Sequence, residues 1–524
     1  MHMENRHNTY NTLHLWHNFR LKLVGEGIIV GALSGLLVVA YRLSLQKIEM
    51  ITKSIYLMQL EKTWLIPIWF VCLIIGACIV GAMVKKDPMI SGSGIPQVEG
   101  ILLGLLTANW WKVIIRKFIG GVISIGAGLS LGREGPSIQL GASVGQGFSK
   151  IFKRIKIEEK YLMTSGASAG LAAAFNAPLA GVIFALEEIH KNFSPLVLIS
   201  AASASITADF ISKEFFGLKP VFQFNNLSAL PLNYYGYIII LGIILGFLGA
   251  FYNSILLKTQ KLYSKQKWLP IQFRTIIPFM LAGVLGLTLP EILGGGHELV
   301  ISLIEKSFML KFLIVLLIIK FAFSMISFGS GAPGGIFFPL LVIGALIGIV
   351  YVKILIYAFG FDSNYINNFI ILGMAGYFTA IVRAPITGSI LITEMTGSFT
   401  HLLSLSTVAI IAYIVADLLK SKPVYESLLE RILNNNNHHN IVKDSKAKNI
   451  IEIPVHHGCS LEGKEIKQFN WPKQCLLVAI KRGEKEIIPK GDTIIYAGDY
   501  LVVLINEEDR AEITKTLVYA AETP

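Results

Sequence analysis

Charge is scarce in this sequence. Only 15% of its 524 residues are Asp, Glu, Lys or Arg, while 53% are hydrophobic and Phe alone occurs 30 times. Average soluble domains carry roughly 25% charged residues. The mean hydropathy is +0.61. These values exclude a disordered chain and an ordinary soluble enzyme. Trp64 to Val84 contains no carboxylate, Lys, Arg or His, and about 20 such residues cross a bilayer core. The chain is therefore a polytopic membrane protein. Cysteine is scarce too. Cys72, Cys78, Cys459 and Cys475 form no CxxC or zinc spacing and no disulfide framework, and read as small hydrophobes. A secretory signal is also lacking. Met1 to Lys22 is polar and basic, and its Leu13, Trp16 and Phe19 suggest a short amphipathic helix on the membrane surface.

The net charge of +12 is unevenly placed. From Ile441 onward there are 12 basic and 13 acidic residues, which leaves 34 basic and 21 acidic in the rest. The excess sits at Lys85-Lys86, at Lys150, Lys153, Arg154, Lys156 and Lys160, and from Lys258 to Lys267. Beside apolar spans such clusters mark cytoplasmic loops rather than nucleic-acid contacts. The chain divides into a cytoplasmic N-terminal segment (1–24), a transmembrane domain (25–433), a polar linker (434–449) and a small domain (450–524). The linker run, Asn434 to Asn440 with His438-His439, reads as a solvated hinge. Beyond it, Ile450–Val455, Cys475–Lys481, Glu486–Pro489 and Thr493–Ile505 read as strands and Glu462–Phe469 as a short helix. The expected fold is an all-α membrane domain of broken, tilted helices with a small α/β tail.

An internal repeat runs through the membrane region. Gly166, Ala173, Ala177-Pro178, Gly181 and Glu187 recur 207 residues on as Gly373, Ala380, Ala384-Pro385, Gly388 and Glu394. Pro136, Gly141-Ala142 and Gly145 recur 203 residues on as Pro339, Gly344-Ala345 and Gly348. Duplicated membrane halves with broken helices are a transporter signature, with the site between the halves. The sequence leaves open whether the halves are parallel or inverted.

Three Gly/Pro breaks carry the chemistry: Gly92-Ser93-Gly94-Ile95-Pro96, Gly132-Arg133-Glu134-Gly135-Pro136 and Gly334-Gly335-Ile336-Phe337-Phe338-Pro339. Each precedes an apolar segment and reads as a helix start, with Pro in the first turn and Gly bending the chain before it. Buried helix N-termini leave amides in need of partners. Several converging ends would make a seat for an anion without a full positive charge. Glu134, a carboxylate in an apolar stretch, is a functional candidate by its location alone. At a helix start it would offer its own anion to that seat, and protonation would release it. Glu188 is the second candidate. Glu187 has a repeat counterpart in Glu394, but Met395 stands opposite Glu188, so Glu188 is free for a special task such as proton uptake.

In this order and spacing GSGIP, GREGP and GIFFP resemble the CLC family of chloride channels and proton-coupled chloride antiporters, from about Gly25 to Leu433. The resemblance implies an inverted-repeat homodimer with one pathway per subunit. It implies that Ser93, Gly135, Ile336, Phe337 and Tyr425 bind chloride, that Glu134 is the external gate, and that Glu188 is the internal proton glutamate of the antiporter branch. Ser93 fits the chloride-selective pattern rather than the nitrate one, and Tyr425 departs from the fluoride-exporting branch. The tail, with Glu484 to Thr493 and Ala497-Gly498-Asp499-Tyr500-Leu501, is similar to the RCK C-terminal (TrkA-C) module. Such modules dimerise, and some hold cyclic di-AMP between subunits.

The expected function is thus chloride/proton antiport across the cell membrane, with both termini cytoplasmic and a ligand-binding tail. The alternative is a passive chloride channel. An enzyme is not expected: His297-Glu298 lacks the second His of a metalloprotease helix, and the GxSxG matches at Ser130, Ser143 and Ser168 follow no strand. A potassium channel is not expected either, since the membrane part has no TVGYG-like filter.

Overall fold

The computed structural model describes residues 4–191, 193–224, 227–266, 269–436, 448–483, 485–506 and 510–523. Residues 437–447, with the His438-His439 pair, lie outside the described set. The chain forms two compact units, Met1–Leu433 and Asn434–Pro524.

The first unit is built of helices. Its first half comprises α1 (Glu4–Glu61), α2 (Leu65–Lys86), α3 (Ile95–Leu102), α4 (Trp110–Gly126), α5 (Glu134–Ile151), α6 (Lys156–Phe175), α7 (Pro178–Phe184) and α8 (Pro195–Phe216). Its second half comprises α9 (Tyr235–Lys265), α10 (Ile276–Thr288), α11 (His297–Glu305), α12 (Leu310–Gly329), α13 (Phe337–Phe359), α14 (Ile366–Val382), α15 (Pro385–Thr396) and α16 (Leu402–Leu418), and α17 (Val424–Asn436) closes the unit. The N-terminal segment, expected as a surface helix of its own, runs unbroken into α1.

The two halves correspond helix by helix. α3 and α11 both start behind a left-handed glycine, Gly94 at φ 96° and Gly296 at φ 97°. A side chain would be strained at either position. α6 packs on α5 through Gly141 and Gly166, and α14 packs on α13 through Gly344 and Gly373. A Cβ on any of these four would strike the facing backbone, so each pair of helices crosses at backbone contact. Mates α5 and α13 begin at a shared point, where Gly132 and Gly335 exchange two N–H···O bonds of 2.7 Å. The pair is antiparallel, so a local two-fold relates the two helix starts.

Among the described residues nine helices are long and apolar enough to cross a membrane. The most apolar windows of α13 and of the α14 segment are 72% and 83% buried, against 22% for α2. The first two are the centre of the unit; α2 presents its side chains outward, where lipid would lie.

The second unit is an antiparallel sheet of β1 (Lys448–Pro454), β2 (Cys475–Arg482), β3 (Lys485–Ile487) and β4 (Tyr500–Asn506), in the order β1-β4-β2-β3, with α18 (Arg510–Glu522) after it. Its core holds Ile453, Leu461, Ile480, Leu501, Val503 and Leu517. The strand expected over 493–505 begins only at Tyr500. Gly498 is left-handed (φ 86°), and the Asp499 carboxylate accepts from Tyr496 N and from Arg482, which folds 496–499 into a turn. The helix expected over 462–469 is a single 3₁₀ turn, Ile466–Gln468, because Gly463 is left-handed (φ 74°) and Glu465 caps the turn at its start.

Candidate anion and proton sites

The three Gly/Pro breaks meet. Gly334 N donates to Gly92 O at 3.0 Å, which joins the first break to the third, and the Gly132–Gly335 pair joins the second to the third. Gly135 closes the ring: a Cβ there would lie 2.8 Å from Ser93 O and 2.9 Å from Ser93 Cβ. The starts of α3, α5 and α13 therefore share one buried locus, which contains Ser93, Glu134, Gly135, Ile336 and Phe337. The free amides at these starts have no intrahelical partner and give the locus a positive potential.

Ser93 is 2% exposed, and its Oγ accepts from Ile95 N at 3.3 Å, which leaves the hydroxyl hydrogen free to donate. Phe337 is wedged among Phe175, Phe184 and Phe378, with ring centroids 5.3, 5.8 and 4.6 Å away. That packing fixes the first turn of α13. Tyr425, in the first turn of α17, is fully buried. Its hydroxyl has no partner among the described residues, and it lies within electrostatic range of both Glu134 and Glu188. A buried hydroxyl without a partner is costly, and a bound anion would satisfy it.

The Glu134 carboxylate folds back over Gly132, where a Cβ would strike it. It faces its own amide and that of Phe338. Its Oε2 makes no direct hydrogen bond among the described residues, and Arg133 Nε stands 3.9 Å from Oε1. The carboxylate is 1% exposed. It lies at the start of α13, favoured by the Arg133 charge and by the backbone amides of Glu134 and Phe338.

Glu188 lies elsewhere, on a π-helical turn (Ala185–His190) after α7, and is 4% exposed. Its Oε1 has no partner among the described residues. The preceding Glu187 reaches into the other half and accepts from Ile386 N (3.3 Å), Thr387 N (2.8 Å) and Thr387 Oγ1 (2.7 Å) at the start of α15. Its mate Glu394 accepts from Leu179 N (3.1 Å) and Ala180 N (2.7 Å) at the start of α7. Each half thus caps a helix of the other.

Sequence reasoning missed several charged residues around these loci. Lys117, fully buried on α4, donates to Ile90 O (2.9 Å) and Gly92 O (2.6 Å) and tethers the first break. Lys320 on α12, 203 residues on, does the same to Ile292 O (2.8 Å) and Gly294 O (2.9 Å) before α11. The repeat offset could have found this pair. Glu99, Lys191 and Glu426 surround Glu188. Glu99 was visible as a carboxylate in an apolar run, but the other two gave no signal.

Known proteins match the two units separately. The family described as "Voltage gated chloride channel" matches residues 76–417, and the TrkA-C domain matches residues 450–518. The H(+)/Cl(-) exchange transporter ClcA of Salmonella schwarzengrund (strain CVM19633) is 34% identical over 424 residues, which cover 79% of this chain and 89% of that protein. The crystal structure of a slow cyanobacterial Cl-/H+ antiporter superposes with a TM-score of 0.74 at 31% identity, over 79% of this chain and 99% of that one. A CLC-type fluoride/proton antiporter shares the fold, with a TM-score of 0.65 at 22% identity, over 77% of this chain and 97% of that one.

Proposed function

The chain belongs to the voltage gated chloride channel (CLC) family, and on that premise we propose that it is a secondary active chloride/proton antiporter of the cell membrane. The observation that carries the reading is the Glu134 carboxylate, buried against the amides of Phe338 and of its own helix start at the point where three broken helices meet. A carboxylate lodged in the anion's own seat gates a channel as well as an exchanger; the residue that separates the two readings is Glu188, a second buried carboxylate that a path for the anion alone does not need.

Chloride enters from the cytoplasm and sits between Ser93 and Tyr425, held by hydroxyls and by the amides of Ile336 and Phe337. The seat is weak enough to empty, because it offers dipoles rather than a cation. A second chloride competes with Glu134. Protonation removes the carboxylate's charge, Glu134 leaves the α13 amides, and anions pass. The proton moves on between Glu134 and Glu188 across an apolar stretch that water bridges. The protein works as a homodimer with one pathway per subunit, and both termini are cytoplasmic. Its TrkA-C tail regulates exchange through a ligand held between two tails, with cyclic di-AMP as the candidate.

Reconstitution into liposomes with chloride and pH read together tests the antiport. Proton movement driven by a chloride gradient is expected in the unaltered protein. Glu134→Ala and Glu188→Val are each expected to retain chloride flux and lose proton coupling. Proton-independent flux in the unaltered protein would mark a passive channel, and full antiport in Glu134→Ala would overturn the gate.

A further inference from the structure

Around Glu188 the charges of the described residues do not balance. Lys191 Nζ, on the left-handed residue that ends the π-helical turn, stands 2.6 Å from Glu99 Oε1 and 2.6 Å from Glu426 Oε1. Glu187 and Glu426 also act on Glu188, and Glu426 in turn acts on Lys422. Glu187 is committed to the start of α15, and Lys422 to Glu430 at 2.7 Å. One cation thus serves three carboxylates. Glu99 and Glu188 are 3% and 4% exposed, and each keeps one oxygen with no partner among the described residues, Oε2 and Oε1 respectively. Glu426 is the open member, with its side chain 42% exposed. Burial and like charge at Glu99 and Glu188, with one lysine nearby, favour uptake of a proton by the group.

The cluster lies on the face marked by the basic loop Lys150–Lys160. His190, on the same π-helical turn as Glu188, pairs with Thr164 of α6 at 3.1 Å, and α6 starts at Lys156 in that loop. Glu426 also directly follows Tyr425, which lies within electrostatic range of Glu134 and Glu188, so one helical turn carries Tyr425 and one end of the Lys191 bridge to Glu99.

We propose that Glu426 is the cytoplasmic proton acceptor that feeds Glu188, with Lys191 as its movable counter-charge. The inference rests on the antiport reading and on Glu188 as the internal proton site. A proton from hydronium neutralises Glu426 and breaks its ion pair. Lys191 then serves the buried carboxylates. Transfer of that proton to Glu188 through water returns Glu426 to its charged form, and the Lys191 bridge between Glu99 and Glu426 closes again. Glu188 accepts it only after passing its own proton on toward Glu134, so each cycle takes one proton from hydronium, leaves water, and delivers one proton to Glu134, while Glu426 and Lys191 end as they began.

The test uses full-length protein oriented in liposomes, with proton and chloride flux read while the pH on the Glu426 face is varied. Glu426→Gln is expected to slow exchange roughly tenfold when that face is mildly alkaline and hydronium is scarce, less than the roughly 10²–10⁴-fold of a positioned proton-transfer group because water replaces part of the relay. It is expected to recover in acid, where hydronium reaches Glu188 unaided. Glu426→Asp is expected to restore the unaltered profile. Slowing by the same factor at every pH would show a structural role and overturn the relay. A Glu426→Gln profile matching the unaltered protein, with Glu188→Gln uncoupled in parallel, would overturn the relay and leave the antiport reading standing. Full coupling in Glu188→Gln would overturn both.

Discussion

At the scale of single residues, the anion locus depends on how closely backbones approach. Gly135 has no room for a methyl group, because a Cβ there would lie under 3.0 Å from the Ser93 backbone and side chain. Gly135→Ala improves helix propensity by about 1 kcal/mol, but overpacking against backbone costs about 1–3 kcal/mol. The clash wins, and Ser93 is displaced. Chloride binding measured calorimetrically is expected to weaken roughly tenfold, the equivalent of about 1.4 kcal/mol. An unchanged affinity would show that Ser93 is not placed by this contact. The breaks that hold Ser93, Glu134 and Phe337 were legible in the sequence because glycine and proline announce themselves locally. The charges that tether and surround the loci were not. Lys117 spends its charge on two carbonyls that bear no sequence mark, and Lys191 meets Glu426 across 235 positions.

At the scale of helices, the reciprocal caps set the register of the two halves. Removing a capping side chain costs about 0.5–2 kcal/mol, and the charged cap at each of these ends belongs near the upper part of that range. Glu187→Ala and Glu394→Ala are each expected to lower stability by about 1–2 kcal/mol in detergent unfolding. The two carboxylates hold different helices, so the double variant is expected to lose the sum within about 0.5 kcal/mol. A strongly non-additive result would show that the caps act as one unit. Periodicity made the repeat readable, since Glu187 and Glu394 keep a fixed offset. It did not reveal whether the halves are parallel or inverted, because offset is blind to direction. In the tail, α18 was missed although Ile513, Leu517, Ala520 and Ala521 are buried at helical spacing, a pattern short enough to pass for the end of a strand region. The strand over 493–505 was drawn too long because a turn made by Asp499 depends on a distant arginine.

At the scale of the whole molecule, the two units have separate cores, with that of the membrane unit complete by Leu433. A chain ended after Leu433 is expected to exchange chloride for protons at a rate within about twofold of the full protein, since surface truncation leaves a packed core intact. The full protein is expected to change its rate with cyclic di-AMP while the truncated one does not. Loss of exchange on truncation would make the tail part of the transport machinery, and equal response of both forms would place the ligand elsewhere. The crossed caps also bear on biosynthesis. When the ribosome has delivered the chain only as far as α8, the start of α7 still lacks the carboxylate that will close it, and the halide seat lacks its third wall. The nascent first half must wait in the bilayer, unfinished, until the second half is translated, so newly made protein becomes competent only near the end of synthesis.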